Sequence, residues 1–143
     1  MREETILAFD FGEKRIGVAV GNTVTRTATA LTTLEVESNA DRLNAVAELV
    51  MEWQPARFVI GEPRHEDGSP HAVAHLAKKF GNRLREQFRL PVEFEDETLS
   101  SVEAAEALDR AGIFGEKRRG QLDATAAQFI LQRFLAHWTA HAA

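Results

Sequence analysis

Residues 6–22, ILAFDFGEKRIGVAVGN, decide how the chain begins to fold. Thr5 to Phe9 is a short apolar run and Arg15 to Asn22 is rich in Ile and Val, so both are expected as strands. Gly12, Glu13 and Lys14 make a tight turn between them, and a Thr-rich stretch from Thr27 to Leu34 supplies a third strand. Short connections pair such strands antiparallel, which makes the opening a β-meander. Asp10 sits at the end of the first expected strand, where an unpaired carboxylate is costly.

After the meander the periodicity changes. From Ala40 to Trp53, Leu43, Val46, Ala47 and Val50 recur at helical spacing behind a polar start at Ser38 and Asn39. Arg57 to Gly61 is a fourth strand, and a polar loop closed by Pro70 leads to a helix striped by Val73, Leu76, Ala77, Phe80, Leu84 and Phe88. Val92 to Glu95 is a fifth strand. Ser100 with Glu103 three residues on has the spacing of a capping box, opening a helix whose apolar face is Val102, Ala105 and Leu108. The basic stretch GEKRRG is expected as a loop before a last helix from about Leu122 to Thr139.

The order βββαβαβαα, with a helix before each late strand as parallel crossovers require, matches an α/β ribonuclease H-like sheet. That sheet is a three-strand antiparallel meander plus two strands parallel to the first, flanked by helices, with the first and fifth strands expected side by side. The 143 residues suit one domain spanning 1–143. Hydrophobic residues at 44% and charged residues at 27% place the chain in the globular range. No cysteine is present, which excludes disulfides, thiolate metal sites and thiol catalysis. The N-terminal apolar run is too short for a signal peptide or membrane span, so a cytoplasmic protein without membrane attachment is expected. A net charge of −5 argues against a histone-like binder, though not against an enzyme with local basic patches, for which Lys78 and Lys79 are also candidates.

Three acidic positions fall at element ends: Asp10, the triplet Glu95, Asp96 and Glu97, and Asp123, which opens the last expected helix. In the expected sheet these ends converge. Carboxylates brought together repel unless protonated or bridged by a cation. All-oxygen ligands suit a hard ion, Mg²⁺ or Mn²⁺, and paired ions of this kind promote in-line hydrolysis of phosphodiesters. On this reading Asp10 is a metal ligand, and Gly12 lets the turn approach a phosphate. Strand parity does not choose among Glu95, Asp96 and Glu97.

The chain resembles the YqgF family of bacterial pre-16S rRNA nucleases, also described as Holliday junction resolvase-like. LAFDFGEKRIGVAVG (7–21) is similar to the family's opening motif, FVIGEPRHEDG (58–68) to its central glycine, proline and aspartate-glycine loop, FEDETLSSVEA (94–104) to its aspartate-glutamate motif with the serine-capped helix, and LDATAAQFIL (122–131) to its closing aspartate helix. The resemblance implies a ribonuclease H-like fold, metal-dependent phosphodiester hydrolysis and 5′-end maturation of 16S rRNA. Its catalytic and metal-binding acids fall on Asp10, Glu97 and Asp123, with Asp96 and Gly12 supporting. The implied partners are structured RNA, free or in ribosomal particles, or branched DNA, whose paired incisions require a homodimer.

The sequence departs from the family pattern at Glu62, Arg64 and His65 around the central proline, and has Thr29 and Thr98 where arginines are usual. A threonine cannot replace a guanidinium's bidentate bonds to phosphate. Lys14, Arg15, Arg64, His65, Lys117, Arg118 and Arg119 are expected to contact nucleic acid, the last three because they precede Asp123 closely. His71 and His75 have zinc-like spacing without an evident third ligand. Trp53 and Trp138, near helix ends, read as packing residues. Two readings compete with an RNA nuclease: a resolvase acting on branched DNA, and a non-catalytic RNA-binding module in ribosome assembly or transcription. An actin-like ATPase domain also carries an Asp-x-Gly hairpin, but it needs a second such domain around the nucleotide.

Overall fold

The structure, a computed structural model, describes residues 3–36, 38–62, 73–97 and 100–138, with the backbone alone at 100, 101, 116, 117, 119 and 120. The described elements run β1 (Thr5–Phe11), β2 (Ile16–Asn22), β3 (Thr27–Leu34), α1 (Asn39–Trp53), β4 (Arg57–Glu62), α2 (Ala74–Phe88), β5 (Val92–Asp96), α3 (Ser100–Arg110) and α4 (Glu116–Ala136). They build the mixed ribonuclease H-like sheet in the order β3-β2-β1-β4-β5. β1 pairs antiparallel with β2 and β2 with β3, while β4 is parallel to β1 and β5 parallel to β4.

One expectation is corrected here. β5 pairs with β4, not with β1, so the first and fifth strands have a strand between them. β1 also runs two residues further than its apolar run suggests. Asp10 and Phe11 stay in the ladder, opposite Gly17 and Ile16, because the β2 hairpin partner continues that far.

Alternation along β1 sorts its side chains to two cores. Leu7, Phe9 and Phe11 face α1 and α2, joining Val46, Phe58, Ile60, Ala77, Phe80 and Leu84. Ile6 and Ala8 face α4, joining Ala127, Ile130, Leu131 and Phe134. The aromatic rings of Phe9, Phe11, Phe58 and Phe80 meet with centroids 5.4 to 5.9 Å apart, a spacing that adds to their burial. Trp53 packs against the first core and Trp138 within the second, as their positions suggested.

α1 begins where its composition predicts, with the Ser38 hydroxyl accepting from the Asp41 amide. Both α1 and α2 end on residues in the left-handed region, Gln54 and Arg89, whose amides reach back to Val50 and Arg85. α3 buries Ala104 and Leu108, whereas Val102, assigned to the apolar face by its spacing, is 52% exposed. The larger correction concerns α4, which starts at Glu116. The GEKRRG stretch lies mostly inside the helix, and Asp123 stands two turns in. A run of good helix formers tolerates Gly120 at a cost of about 1 kcal/mol, which burial of the following apolar face offsets.

Candidate active site

Asp10 is the even-numbered residue that continues Ile6 and Ala8, so it points to the α4 side of the sheet. Its cross-strand partner is Gly17. A Cβ at Gly17 would lie 1.9 Å from the backbone oxygen of Asp123, so the missing side chain is what lets α4 settle directly on β2. This close approach brings Asp123 beside Asp10.

Glu97 reaches the same place by a different route. It follows β5, and its amide donates to the Glu62 carbonyl at 3.3 Å, extending the β4–β5 pairing by one residue. Its side chain crosses over β4 at Gly61, where a Cβ would lie 2.8 Å from Glu97 Oε2 and 2.5 Å from Ile130 Cδ1. Glycine at position 61 therefore opens the path by which a carboxylate two strands away meets Asp10. The neighbouring acids go elsewhere. Glu95 takes a 2.6 Å contact with His137 Nε2, and Asp96 is exposed, its carbonyl accepting from Arg133 at 2.7 Å. Of the three, Glu97 is the one whose side chain interacts with Asp10.

Burial pushes the Asp10 carboxyl well above its ordinary range, and a hydrogen bond with Glu97, the Glu97 charge and the Asp123 charge push it further the same way. Two carboxyls within hydrogen-bonding reach of each other beside a third make a site with excess negative charge, which a divalent cation would relieve. Asp123 is already held, because Arg15 Nε donates to its Oδ2 at 2.9 Å. Among the described residues no three acidic or histidine side chains are arranged as a ready cage. That agrees with Asp123 being drawn to Arg15 and Asp10 to Glu97. The donor set itself, three carboxylates and no nitrogen or sulfur ligand, fits a hard oxygen-seeking ion.

Glu97, Asp123, Arg15, Lys14, Gly12 and Val73 line an open cleft of about 540 Å³ over this cluster, with Phe11 and Glu13 on its wall. Gly12 has a local reason to be glycine: a Cβ there would lie 2.6 Å from the Arg15 carbonyl oxygen, so the turn closes only without one. Lys14 and Arg15 stand at the cleft as expected. Arg118 does not, for its guanidinium bonds the Asp109 carboxylate and the Ala105 carbonyl and ties α4 to α3. The side chains of Lys117 and Arg119, and Arg64, His65, His71 and Thr98 entirely, lie outside the described residues. Thr29 pairs with Val20, opposite Leu7, and lines a depression with Trp53 on the α1 side of the sheet, so its departure from the usual arginine falls away from the acids. Gly17 and Gly61 were not singled out from sequence; their place within apolar strands was the available signal.

A mixed five-stranded sheet with acids gathered from β1, the end of β5 and α4 defines a ribonuclease H-like protein. The profile of the RuvX family, described as Holliday junction resolvase, matches residues 4–137, and the chain belongs to that family. It is 53% identical over 128 residues to a protein of Dechloromonas aromatica (strain RCB) named "Putative pre-16S rRNA nuclease", covering 90% of this chain and 88% of the relative. A protein of the same name from Burkholderia cenocepacia (strain HI2424) is 47% identical over 140 residues, covering 98% and 94%. Among solved structures, Thermus thermophilus RuvC in complex with a Holliday junction substrate superposes with a TM-score of 0.53 at 15% identity, covering 92% of this chain and 93% of that one. At that identity the likeness is one of fold.

Proposed function

We propose that the chain is a metal-dependent nuclease that acts in the cytoplasm on the 5′ region of the 16S rRNA precursor. The observation that carries this reading is that buried Asp10 neighbours Glu97 and Asp123, which line an open cleft, with Asp10 disfavoured as a lone anion by both its burial and its neighbours. The substrate assignment is supported by the names of the relatives at 47% and 53% identity. Among the described residues no helix is long and apolar enough to cross a membrane.

In this reading Asp10, Glu97 and Asp123 hold Mg²⁺ or Mn²⁺, and Asp96 supports the β5 end. A bound ion would favour water attack on the phosphodiester and offset the charge that builds on the leaving oxygen. The chain's own groups do the rest. Arg15 holds Asp123 through Nε and lines the cleft, and its guanidinium has further N–H donors to offer a phosphate oxygen. Lys14 adds positive charge to the rim of an otherwise acidic site.

A second reading, branched DNA as substrate for a homodimer, is favoured by the family's description as a Holliday junction resolvase. One experiment separates the readings: cleavage of a labelled 16S rRNA precursor beside a four-way DNA junction, with Mg²⁺, Mn²⁺ or EDTA, by wild type and Asp10→Asn. Metal-dependent cutting of the RNA that vanishes in the variant is expected. Cutting confined to the junction selects the second reading, and metal-independent binding without cleavage of either selects an RNA-binding module.

A further inference from the structure

The cleft over the acids is not the only cavity at this edge of the sheet. On the opposite face, between α1 and α2, lies a second cavity of about 270 Å³ walled by Asn39, Arg42, Leu76, Lys79 and Arg83. The two cavities share Phe11 and Glu13, so they meet across the β1–β2 turn.

Among the described residues the charge of this second cavity is mostly positive. Arg42 is 6% exposed, and among the described residues its guanidinium bonds two neutral carbonyls, those of Val36 and Glu13, and lies over the Phe11 ring at 5.5 Å. A buried cation bonded to neutral carbonyls adds positive potential to the space it lines. Lys79 and Arg83 are four residues apart on α2 and therefore adjacent on one face, a like-charge pairing that costs stability. Both are exposed, and among the described residues neither has a hydrogen-bond or ion-pair partner. Asn39 adds an amide at the positive N-terminal end of α1. Against three cations stands one carboxylate on the wall, that of exposed Glu13. Arg83 also lines a neighbouring depression with Leu43, Glu86 and Gln87.

We propose that the α1–α2 cavity, through Lys79, Arg83 and Asn39, is a phosphate subsite for the nucleic-acid strand that occupies the acid cleft and crosses the β1–β2 turn. The inference rests on the nuclease reading for what lies in the cleft, but it makes its own claim, that the strand continues over the turn to the far face of the sheet. Lys79 and Arg83 act there as binding residues that hold a phosphate neighbouring the one at the acids. They carry no sequence information, because phosphate contacts position a strand without reading its bases.

The test measures binding apart from cleavage. Fluorescence anisotropy in EDTA, over a series of salt concentrations, would compare wild type, Lys79→Ala/Arg83→Ala and a remote control, Arg110→Ala, which removes one positive charge away from the cavity, using a 16S precursor RNA fragment and a four-way DNA junction. Arg110 is exposed at the end of α3, which packs on α4. We expect the double variant to lose about tenfold or more in affinity for whichever nucleic acid wild type binds, and its salt slope to fall by about 1.4 to 1.8, the value for two lost phosphate contacts. Arg110→Ala should bind as wild type does. Equal affinity and salt slope in wild type and double variant overturn the proposal, whatever the cleavage assay shows. A thermal-shift arm with inorganic phosphate and AMP tests the other source of the same chemistry. Stabilisation of wild type but not of the double variant, with unchanged nucleic-acid affinity, would make the cavity a free-phosphate or nucleotide site and overturn the strand assignment. Loss of binding in the double variant together with an inactive wild type would uphold the subsite while removing the nuclease reading.

Discussion

Arg15 Nε lies 2.9 Å from Asp123 Oδ2, joining the β1–β2 turn to α4 across 108 residues of sequence. Arg15 is 41% exposed and Asp123 22% at their side chains, so water screens the pair and its worth to folding is small. Its consequence is positional. The guanidinium draws one of three acids toward the turn, leaving the other two to share a hydrogen bond.

Replacing Arg15 by Ala should therefore separate stability from activity. Stability is expected to fall by no more than about 1 kcal/mol, the usual limit for an exposed ion pair. Cleavage should fall about tenfold or more, since Asp123 loses its orientation and the phosphate a donor. Arg15→Lys keeps the charge and not the planar fork, so it should recover only part of the rate. Thermal melts beside single-turnover cleavage check all three outcomes.

Gly17 and Gly61 should respond differently to the same added methyl group. At Gly17 the obstacle is backbone, the Asp123 carbonyl at 1.9 Å, so Gly17→Ala must move α4 and is expected to cost about 2 to 4 kcal/mol. At Gly61 the obstacles are the ends of two side chains, Ile130 and Glu97. Gly61→Ala should cost less stability and more activity, because the group that yields is a site carboxylate. Urea unfolding of both variants, read against their cleavage rates, tests the contrast.

Asp10 links the site to pH. Its folded carboxyl binds a proton more tightly than the unfolded one, whose ordinary value is 3.8. Between that value and the raised one the folded state holds more protons, so stability falls as pH rises through this window. Asp10→Asn removes the buried anion and should melt a few degrees above wild type at neutral pH in EDTA. The difference should shrink to nothing near pH 4, where wild-type Asp10 is protonated in the folded state. A variant that melts below wild type at pH 7 would contradict this account.

Divalent cations should reverse that order. An ion held by the three acids stabilises the fold by RT ln(1 + [L]/Kd), about 2.7 kcal/mol at a hundredfold excess over Kd. Mn²⁺ or Mg²⁺ should thus raise the wild-type melting temperature and leave Asp10→Asn almost unchanged. The rise should be larger at pH 8 than at pH 5.5, since metal and proton compete for the same carboxyl. Scanning fluorimetry over the two pH values decides it.

Local patterns were sufficient for much of this protein. The apolar runs of β1 and β2, the Ser38 cap and the α2 stripe of Leu76, Ala77, Phe80 and Leu84 report burial that each element carries in its own residues. The same holds for Asp10, conspicuous as a carboxylate continuing an apolar strand. Strand parity left the triplet open and the resemblance to a known family points to Glu97; in the structure Glu95 contacts His137 and Glu97 neighbours Asp10. Where α4 begins was misread because EKRRG is equally at home in a loop or a solvated first turn. Arg118 looked like a phosphate ligand because sequence lists a charge without its partner, and here the partner is Asp109 on the preceding helix.

What the sequence by itself determined is therefore the element types, the meander and the kinds of ligand the protein can offer, since these depend on side-chain chemistry and on neighbours within a few residues. Only the tertiary structure decided that β4 lies between β1 and β5, that Gly61 clears the path for Glu97 and Gly17 the seat for α4, and that Arg15 holds Asp123. Those outcomes depend on packing between residues tens of positions apart, where the deciding quantity is the space left between two elements, and no local pattern records it.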